Sequence, residues 1–339
     1  MPQKVTLKSI AAELNLSMGT VSRILNGKAR EFRISKETVE LVLKYAKDKG
    51  YSPNLIAKGL QASKTFTIGL MIPDIANPFF ALMAKHIERA ASQANYSILL
   101  IDAEENSDKE EKQVNIMMSR KVDGIIAAPV GKSFEHFRKI VKQGIPLIFV
   151  DRYFKNIDIP YITSDNFMGG YKACKHLIEN GHQRIGLIRG DESTEPVIER
   201  KNGYRKALEE AGIDVQFYYE TGTTFSFENG YESALQLLSL PQPPTALITM
   251  SNLLGLGAIK AIRELQLNLP NDVSLVVYDD QPYASYLNPP ITTVKQDSEQ
   301  MGKLAIAYIL KKIDNEYTEF ESVHVPIQLI FRDSVHKIN

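Results

Sequence analysis

After Ser63, short apolar segments rich in β-branched and aromatic residues alternate with amphipathic segments of helical periodicity. Strands that are apolar on both faces need cover on both, so this alternation is typical of parallel sheets between layers of helices. The 276 residues after Ser63 hold more such units than one open sheet usually contains. The sequence therefore predicts an α/β body of two doubly wound parallel-sheet lobes. The predicted strands are residues 66–72, 97–102, 122–128, 146–150, 161–163, 184–189, 215–220, 245–250 and 273–278, and the predicted helices include residues 79–94, 109–120, 166–180, 200–211 and 253–265.

The first 63 residues differ from the body in both pattern and charge. Helical patterns follow one another there, and no segment has the pattern of a strand. This part carries eight lysines and three arginines against four glutamates and one aspartate, a net charge of +6, whereas the whole chain is neutral. A basic head on an acidic body indicates that the head contacts nucleic acid.

Residues 5–26 have the pattern of a helix-turn-helix. Thr6 is suited to cap a first helix, and Asn15 tolerates the left-handed conformation that a tight turn between helices needs. Ser17 then caps a second helix whose apolar residues recur on one face. The pattern predicts an all-α helix-turn-helix headpiece.

The second helix is predicted to expose Met18, Gly19, Thr20, Ser22 and Arg23. Arg23 is able to donate two hydrogen bonds to a guanine in the major groove, while Thr20 and Ser22 suit phosphates. Taken alone, these residues also fit a small helical interaction domain with an ordinary solvated face. The positive charge of the head favours DNA over that alternative.

Polar and aromatic side chains follow several predicted strands of the body. Ligands of open α/β sheets bind beyond the carboxyl ends of the strands, at a point where the strand order reverses. Aromatic rings stack on the C–H faces of a sugar while arginines and carboxylates bind its hydroxyls. Taken singly, such a residue is more often a core aromatic or a helix cap than a ligand-binding group. Together they predict a small-molecule site, with a sugar favoured, at Asp74, Asn77, Phe79, Phe80, Asp151, Arg152, Asp165, Asn166, Asn252 and Asp279.

Cys174 is the only cysteine of the chain, so no internal disulfide can form and a reducing cytoplasm suits it. The first residues lack the apolar core of a secretory signal. No apolar run approaches the length of about 20 residues that a membrane span needs. We therefore expect a cytoplasmic protein without a membrane segment.

The chain resembles the lac/galactose/purine repressor family along nearly its whole length. The resemblance begins in residues 5–26 and continues, in order, through a series of short motifs whose collinearity is more specific than any single motif. These motifs are Tyr51-Ser-Pro-Asn54, Ala57-Lys-Gly-Leu60, Ile72-Pro-Asp-Ile-Ala-Asn-Pro-Phe-Phe80, Val122-Asp-Gly-Ile-Ile126, Asn180-Gly-His-Gln-Arg-Ile-Gly186, Pro270-Asn-Asp-Val-Ser-Leu275 and Tyr278-Asp-Asp280.

The resemblance implies a homodimeric repressor that binds a near-palindromic, double-stranded operator. It implies that residues 51–63 form a hinge helix on DNA and that Leu60 enters the minor groove as an apolar wedge. Met18, Gly19 and Arg23 match the base-reading positions. The predicted DNA-binding set is Thr6, Ser17, Met18, Gly19, Thr20, Ser22, Arg23, Asn26, Tyr51, Asn54, Ala57, Lys58 and Leu60.

Two features of the headpiece depart from the family pattern. Ser9 replaces an acid that is common in the first helix, and residues 27–34 form a stretch about three residues longer than usual. The basic residues of this stretch, Lys28, Arg30 and Arg33, are candidates for additional phosphate contacts.

The resemblance also adds Arg200 and Phe225 to the effector site, as the family's sugar-binding arginine and effector-site aromatic. Asn252 stands where an aspartate is common and Thr194-Glu-Pro196 is unusual, so the identity of the ligand is not implied. Few basic residues converge, which favours a neutral sugar over a sugar phosphate or nucleobase. The predicted effector set is Asp74, Asn77, Phe79, Phe80, Arg152, Asp165, Arg200, Phe225, Asn252 and Asp279, with no cofactor and no metal ion.

Two other classes of protein fit less well. A periplasmic sugar-binding protein would share the two lobes, but it would need a secretory signal and has no use for a basic head. An enzyme is disfavoured because Gly255-Leu-Gly257 lacks the third glycine of a dinucleotide fingerprint, Lys260 standing in its place. The sequence has no P-loop, no Gly-x-Ser-x-Gly and no metal-spaced cluster. We therefore expect a regulator and not an enzyme.

The predicted domain boundaries follow from these assignments. Residues 1–50 form the headpiece, residues 51–63 the hinge, and residues 64–339 the body that binds effector and dimerises. The first lobe is assigned residues 64–163 and 295–322. The second is assigned residues 164–294 and 323–335.

Overall fold

The computed structural model describes residues 5–51, 64–316 and 321–338. The chain divides into two compact units, Met1–Thr65 and Phe66–Asn339. The first is the helical headpiece, and the second is the α/β body.

The headpiece is built on three helices, α1 (Leu7–Glu13), α2 (Met18–Leu25) and α3 (Lys36–Asp48). Thr6, Ser17 and Ser35 cap them through side-chain oxygens that accept hydrogen bonds from backbone N–H groups. Asn15 lies between α1 and α2 with φ at 52°, the left-handed conformation expected of the turn. The three helices bury a small apolar core whose members are Ile10, Ala11, Val21, Ile24, Val42 and Ala46.

The first lobe of the body contains a six-stranded sheet in the order β11-β5-β4-β3-β1-β2, and the strand pairs are parallel. Its helices pack on this sheet, and α11 also packs against α4. The strands are β1 (Thr67–Ile72), β2 (Ser97–Asp102), β3 (Gly124–Ala127), β4 (Leu147–Val150), β5 (Tyr161–Ser164) and β11 (Val323–Val325); the helices are α4 (Pro78–Gln93), α5 (Ser107–Ser119), α6 (Glu135–Lys142) and α11 (Ser298–Ile313).

The second lobe repeats this plan with the order β12-β10-β9-β8-β6-β7. Its strand pairs are parallel except for the edge strand β12, which is antiparallel to β10. The strands are β6 (Ile185–Ile188), β7 (Glu220–Thr221), β8 (Ala246–Thr249), β9 (Ser274–Tyr278), β10 (Thr292–Lys295) and β12 (Gln328–Ile330); the helices are α7 (Asn166–Glu179), α8 (Glu195–Glu210), α9 (Phe227–Leu238) and α10 (Asn252–Glu264).

The predicted two-lobed α/β body is confirmed, since the central strands are buried along their length as parallel sheets require. In each lobe the strand order reverses at one point, between β1 and β3 in the first and between β6 and β8 in the second. A ligand is therefore expected beyond the carboxyl ends of these four strands.

Two details of the prediction are wrong. Residues 215–220 were predicted as a strand, but the structure has a 3₁₀ helix at Phe217–Tyr219 and only the two-residue strand β7 at the sheet edge. Phe217 and Tyr218 give the segment a high β propensity, yet both rings are exposed because no partner strand covers them. Residues 323–325 were assigned to the second lobe, but β11 pairs with β5 in the first. The chain returns to the second sheet only at β12. The assignment failed because three residues are too few for a pattern to indicate which sheet they join.

Candidate functional sites

The surface of α2 carries the residues predicted to read DNA. Met18, Gly19 and Arg23 are exposed, and the Met18 side chain keeps 55% of its accessible surface. Thr20 is half-buried, and its hydroxyl lies 2.9 Å from the Ser17 hydroxyl. Met18 and Arg23 are therefore the large exposed side chains of this surface, so apolar contact and one guanidinium are the chemistry this helix offers a base edge.

The flanks of the helix-turn-helix are held by local hydrogen bonds. Thr6 Oγ1 accepts from Ser9 N at 3.1 Å, and Ser9 Oγ accepts from Thr6 N at 2.8 Å, so Ser9 closes a capping box in place of the family's acid. Asn26 caps the end of α2, and its Nδ2 donates to the Ser22 carbonyl at 2.9 Å. Tyr51 packs against the headpiece core. The remaining predicted hinge residues, Asn54, Ala57, Lys58 and Leu60, lie outside the described residues.

A cavity of about 20 Å³ lies between the carboxyl ends of the two sheets, with room for about one water molecule. Both lobes contribute to its wall, as the two switch points predict. The lining residues are Asn77, Phe79, Phe80, Asp151, Arg152, Pro196, Arg200, Phe225, Ser251, Asp279 and Gln296.

Seven of the ten residues of the predicted effector set line this cavity, as does Asp151, and three of the ten do not. Asp74 Oδ1 accepts from Ala76 N at 2.7 Å in the loop after β1, and Asp165 caps α7 by accepting from Met168 N at 3.0 Å. Asn252 is buried beside the cavity, where its Nδ2 donates to Asn77 Oδ1 at 3.1 Å and to Asp279 Oδ2 at 3.0 Å. Asn252 thus orients two lining residues from behind.

Arg200 lies in the cavity wall, and neutral acceptors hold its guanidinium. Its Nε donates to Asn166 Oδ1 at 2.8 Å and its Nη1 to the Met250 carbonyl at 2.7 Å. Its guanidinium carbon lies 4.1 Å from the centre of the Tyr278 ring. A Cβ on Gly170 would collide with the Arg200 carbonyl, so this glycine permits the close approach of α7 and α8 that brings Arg200 to Asn166.

Arg152 faces the cavity from the other lobe. Its two terminal nitrogens donate to the two Glu105 oxygens at 2.8 and 2.7 Å, a bidentate pair. The guanidinium lies near two aromatic rings, with its central carbon 5.5 Å from the ring centre of Phe80 and 4.8 Å from that of Phe225. Phe225 belongs to the second lobe, so this contact spans the cleft.

Buried acceptors complete the wall. Burial raises the pKa of Asp151 to about 6, although the nearby Arg200 and Arg152 act to lower it. Asp151 Oδ1 and Gln296 Oε1 are buried and have no hydrogen-bond partner within the described ranges. Gln296 Nε2 is occupied, because it donates to Asp279 Oδ1 at 2.7 Å. The cavity therefore presents acceptors that lack donors.

Direct contacts hold the two lobes together around the cavity. Tyr153 Oη donates to Glu199 Oε1 at 2.9 Å, and Lys155 Nζ lies 2.7 Å from Glu195 Oε2. Both acids lie on α8 of the second lobe, whereas Tyr153 and Lys155 follow β4 of the first. The cleft is closed, so a ligand larger than water requires movement of side chains or lobes.

Three lining residues, Pro196, Ser251 and Gln296, were not predicted, and neither was the partner acid Glu105. Ser251 is the second residue after β8, so the rule that ligands bind after strands was sufficient to find it. Gln296 lies where the chain crosses between lobes, and Glu105 is 47 residues from Arg152. No local pattern marks either residue.

Within the described ranges, no group of three or more His, Cys, Asp or Glu residues is arranged to hold a metal ion. No helix described here is long and apolar enough to cross a bilayer.

A helix-turn-helix headpiece, joined to a two-lobed domain with a polar cleft, defines a ligand-responsive DNA-binding regulator. Residues 6–54 match the model of the bacterial regulatory proteins of the lacI family, and residues 65–333 match the periplasmic binding proteins and sugar binding domain of the LacI family. The chain therefore belongs to the LacI family, as the resemblance predicted, and is a transcriptional regulator.

Known proteins are similar to this chain in sequence and in structure. Catabolite control protein A of Priestia megaterium is 32% identical over 97% of this chain and 99% of its own. The lac repressor dimer bound to operator and the anti-inducer ONPF is 25% identical, with a TM-score of 0.84 over 98% of this chain and 100% of that one. A LacI-family regulator of Enterococcus faecium with bound ribose is 28% identical, with a TM-score of 0.72 over 80% of this chain and 100% of that one. These relatives are regulators and not enzymes.

Proposed function

We propose that this regulator is a repressor whose affinity for its operator is controlled by a neutral sugar bound in the interlobe cleft. The observation that carries the choice of ligand is the pair of buried acceptors, Asp151 Oδ1 and Gln296 Oε1, that have no donor among the described residues. A buried acceptor without a partner costs free energy, which a ligand hydroxyl would remove by donating to it. A polyhydroxyl ligand supplies such donors.

The charges of the cavity wall favour the same ligand class. Arg152 is neutralised by Glu105, and Arg200 lies near the carboxylates Asp151 and Asp279. A phosphate group carries only acceptors at neutral pH and a charge near −2. The negative charge of such a group would meet the carboxylates of Asp151 and Asp279 there, whereas Phe79, Phe80 and Phe225 offer apolar faces to a sugar ring.

On the DNA side, we propose that α2 of each protomer of a homodimer enters the major groove of one half-site. Arg23 reads a guanine, Met18 and Gly19 contact apolar base edges, and the polar residues around them bind phosphates. The hinge residues, with Leu60 as a wedge, are assigned from the family resemblance. The lac repressor relative, a dimer on its operator, supports this assignment.

We further propose that the sugar is an inducer, that the protein acts in the cytoplasm where bacterial DNA is accessible, and that it catalyses no reaction. Because the cleft is closed by contacts between the lobes, a bound sugar would change how the lobes meet and thereby the operator affinity. The linkage is reciprocal, so operator binding changes sugar affinity by the same factor.

Thermal unfolding of the full chain with neutral pentoses and hexoses tests the ligand class. A ligand that binds only the folded state stabilises it by about 2.7 kcal/mol at 100 times its Kd, and this stabilisation raises the melting temperature. We expect at least one neutral sugar to do so, and its phosphate ester to give a smaller shift. A larger shift with the ester, or no shift with any neutral sugar, would contradict the assignment. Phe331→Ala removes an exposed side chain of the second lobe, away from the cavity lining. As a control variant it should show the same sugar-induced shift as the wild type.

A further inference from the structure

The loop between α2 and α3 is anchored at two points and exposed between them. Ala29 and Ile34 pack against the headpiece core, and Ile34 N donates to the Ala29 carbonyl at 3.0 Å. Arg33, just before the second anchor, has a φ of 51°, which reverses the chain. Residues 30–33 therefore form an exposed tip in the stretch that is longer than usual for the family.

Phe32 is the aromatic residue of this tip, and it retains 46% of its accessible surface. The guanidinium carbon of Arg23 lies over its ring, 3.8 Å from the ring centre. Two exposed side chains from different elements thus contact each other, one on the recognition helix and one on the loop that follows it. Among the described residues, the Arg23 guanidinium makes no hydrogen bond and no ion pair, and its only contact of this kind is with the Phe32 ring.

The contact restricts Arg23 without using its donors. A free arginine side chain samples many rotamers, and holding it against a ring removes part of that freedom before DNA arrives. The N–H donors of a guanidinium lie in its plane, at its edge, whereas the aromatic ring contacts its face. Arg23 held in this way can still give two hydrogen bonds to guanine O6 and N7.

We propose that Phe32 is a positioning residue for DNA reading, which holds the Arg23 guanidinium in advance for its base contact. This inference rests on the proposed role of Arg23 in base reading. The tip also carries Arg30 and Arg33, so a direct contact between the Phe32 ring and DNA is the competing role that the experiment must separate.

A double-mutant cycle on the full chain separates these roles. The probe is the duplex recovered by wild-type selection from a random-sequence library, together with duplexes substituted at the base pair most affected by Arg23→Ala. We expect Phe32→Ala to lower discrimination at that base pair by about two- to fivefold, the size of an exposed cation–π contact. In the Arg23→Ala background, Phe32→Ala should have no further effect on affinity or discrimination.

Two conservative variants and one control sharpen the result. Phe32→Tyr keeps the ring face and should behave as the wild type, whereas Phe32→Leu keeps only the apolar bulk and should behave as Phe32→Ala. Leu41→Ala removes a similarly exposed side chain of α3, 51% accessible, and should leave discrimination unchanged.

The outcomes are distinct. Equal losses from Phe32→Ala with and without Arg23 would show a direct DNA contact and overturn the inference, as would full discrimination by Phe32→Leu. If the wild-type protein enriched no sequence from the library, the DNA-reading role itself would be overturned. If the wild type enriched a sequence but Phe32→Ala discriminated as well as the wild type, only the positioning role would be overturned.

Discussion

At the scale of single residues, the aspartates near the cleft differ in whether their carboxylate oxygens already accept hydrogen bonds within the protein. Asp74 and Asp165 accept hydrogen bonds from nearby backbone N–H groups, while Asp151 is buried with one oxygen unpartnered. All three follow strands, so their position in the sequence could not distinguish a cap from a ligand-binding group. The distinction depends on burial and on residues distant in the chain, such as Arg200.

Asp151 predicts a pH dependence of stability. Its pKa rises from 3.8 to about 6 on folding, so the folded state holds the proton more tightly than the unfolded state. Stability from this group is therefore greatest below about pH 4 and is lost as the pH rises to about 6, by about 3 kcal/mol in all.

Asp151→Asn isolates this effect, because asparagine does not titrate and tolerates the backbone conformation of Asp151, with φ at 62°. We expect the unfolding free energy of the variant, relative to wild type, to rise across pH 4–6 and then level off. Chemical denaturation at several pH values measures it. A difference that does not vary with pH would show that the carboxyl of Asp151 has an ordinary pKa.

At the scale of elements, the alternation of strands and helices was predictable because buried parallel strands are apolar throughout. The helix-turn-helix was predictable because caps and apolar spacing are local. The start of α8 was not predictable from the pattern. The helix begins at Glu195 and not at the predicted residue 200, and its first turn brings Pro196 to the cavity. Likewise, the extended loop before α3 was visible as extra length, but its contact with Arg23 depends on the fold.

Arg200 links three elements, so its removal should affect both stability and binding. Arg200→Ala breaks the bonds from α8 to Asn166 at the start of α7 and to Met250 after β8. We expect a loss of about 3 kcal/mol in unfolding free energy, loss of the sugar-induced thermal shift, and unchanged operator affinity without sugar.

Arg205→Ala is the matched control on the same helix. Arg205 forms a bidentate pair with Glu220 at 2.7 Å but lies outside the cavity. Its loss should lower the melting temperature while the sugar-induced shift persists. Sugar binding retained by Arg200→Ala, or lost equally by Arg205→Ala, would refute the effector role of Arg200.

At the scale of the whole molecule, the two sheets place their switch points on opposite sides of one cleft. The family resemblance and the strand pattern were enough to predict this arrangement. The closure itself was not predictable, because it depends on pairs such as Tyr153 with Glu199 and Asn77 with Asn252, which join residues far apart in sequence. We propose that a bound ligand changes these contacts and that this change is what alters operator affinity.

The central claim is that sugar and operator are linked through one protein, and operator affinity measured with and without sugar tests it most directly. The full chain would be titrated with the duplex recovered by selection, in the absence of sugar and at saturation with the sugar that raises the melting temperature most. We predict weaker operator binding with sugar, and sugar binding to the protein–operator complex that is weaker by the same factor. Operator affinity that is identical with and without a sugar shown to occupy the cleft would contradict the account.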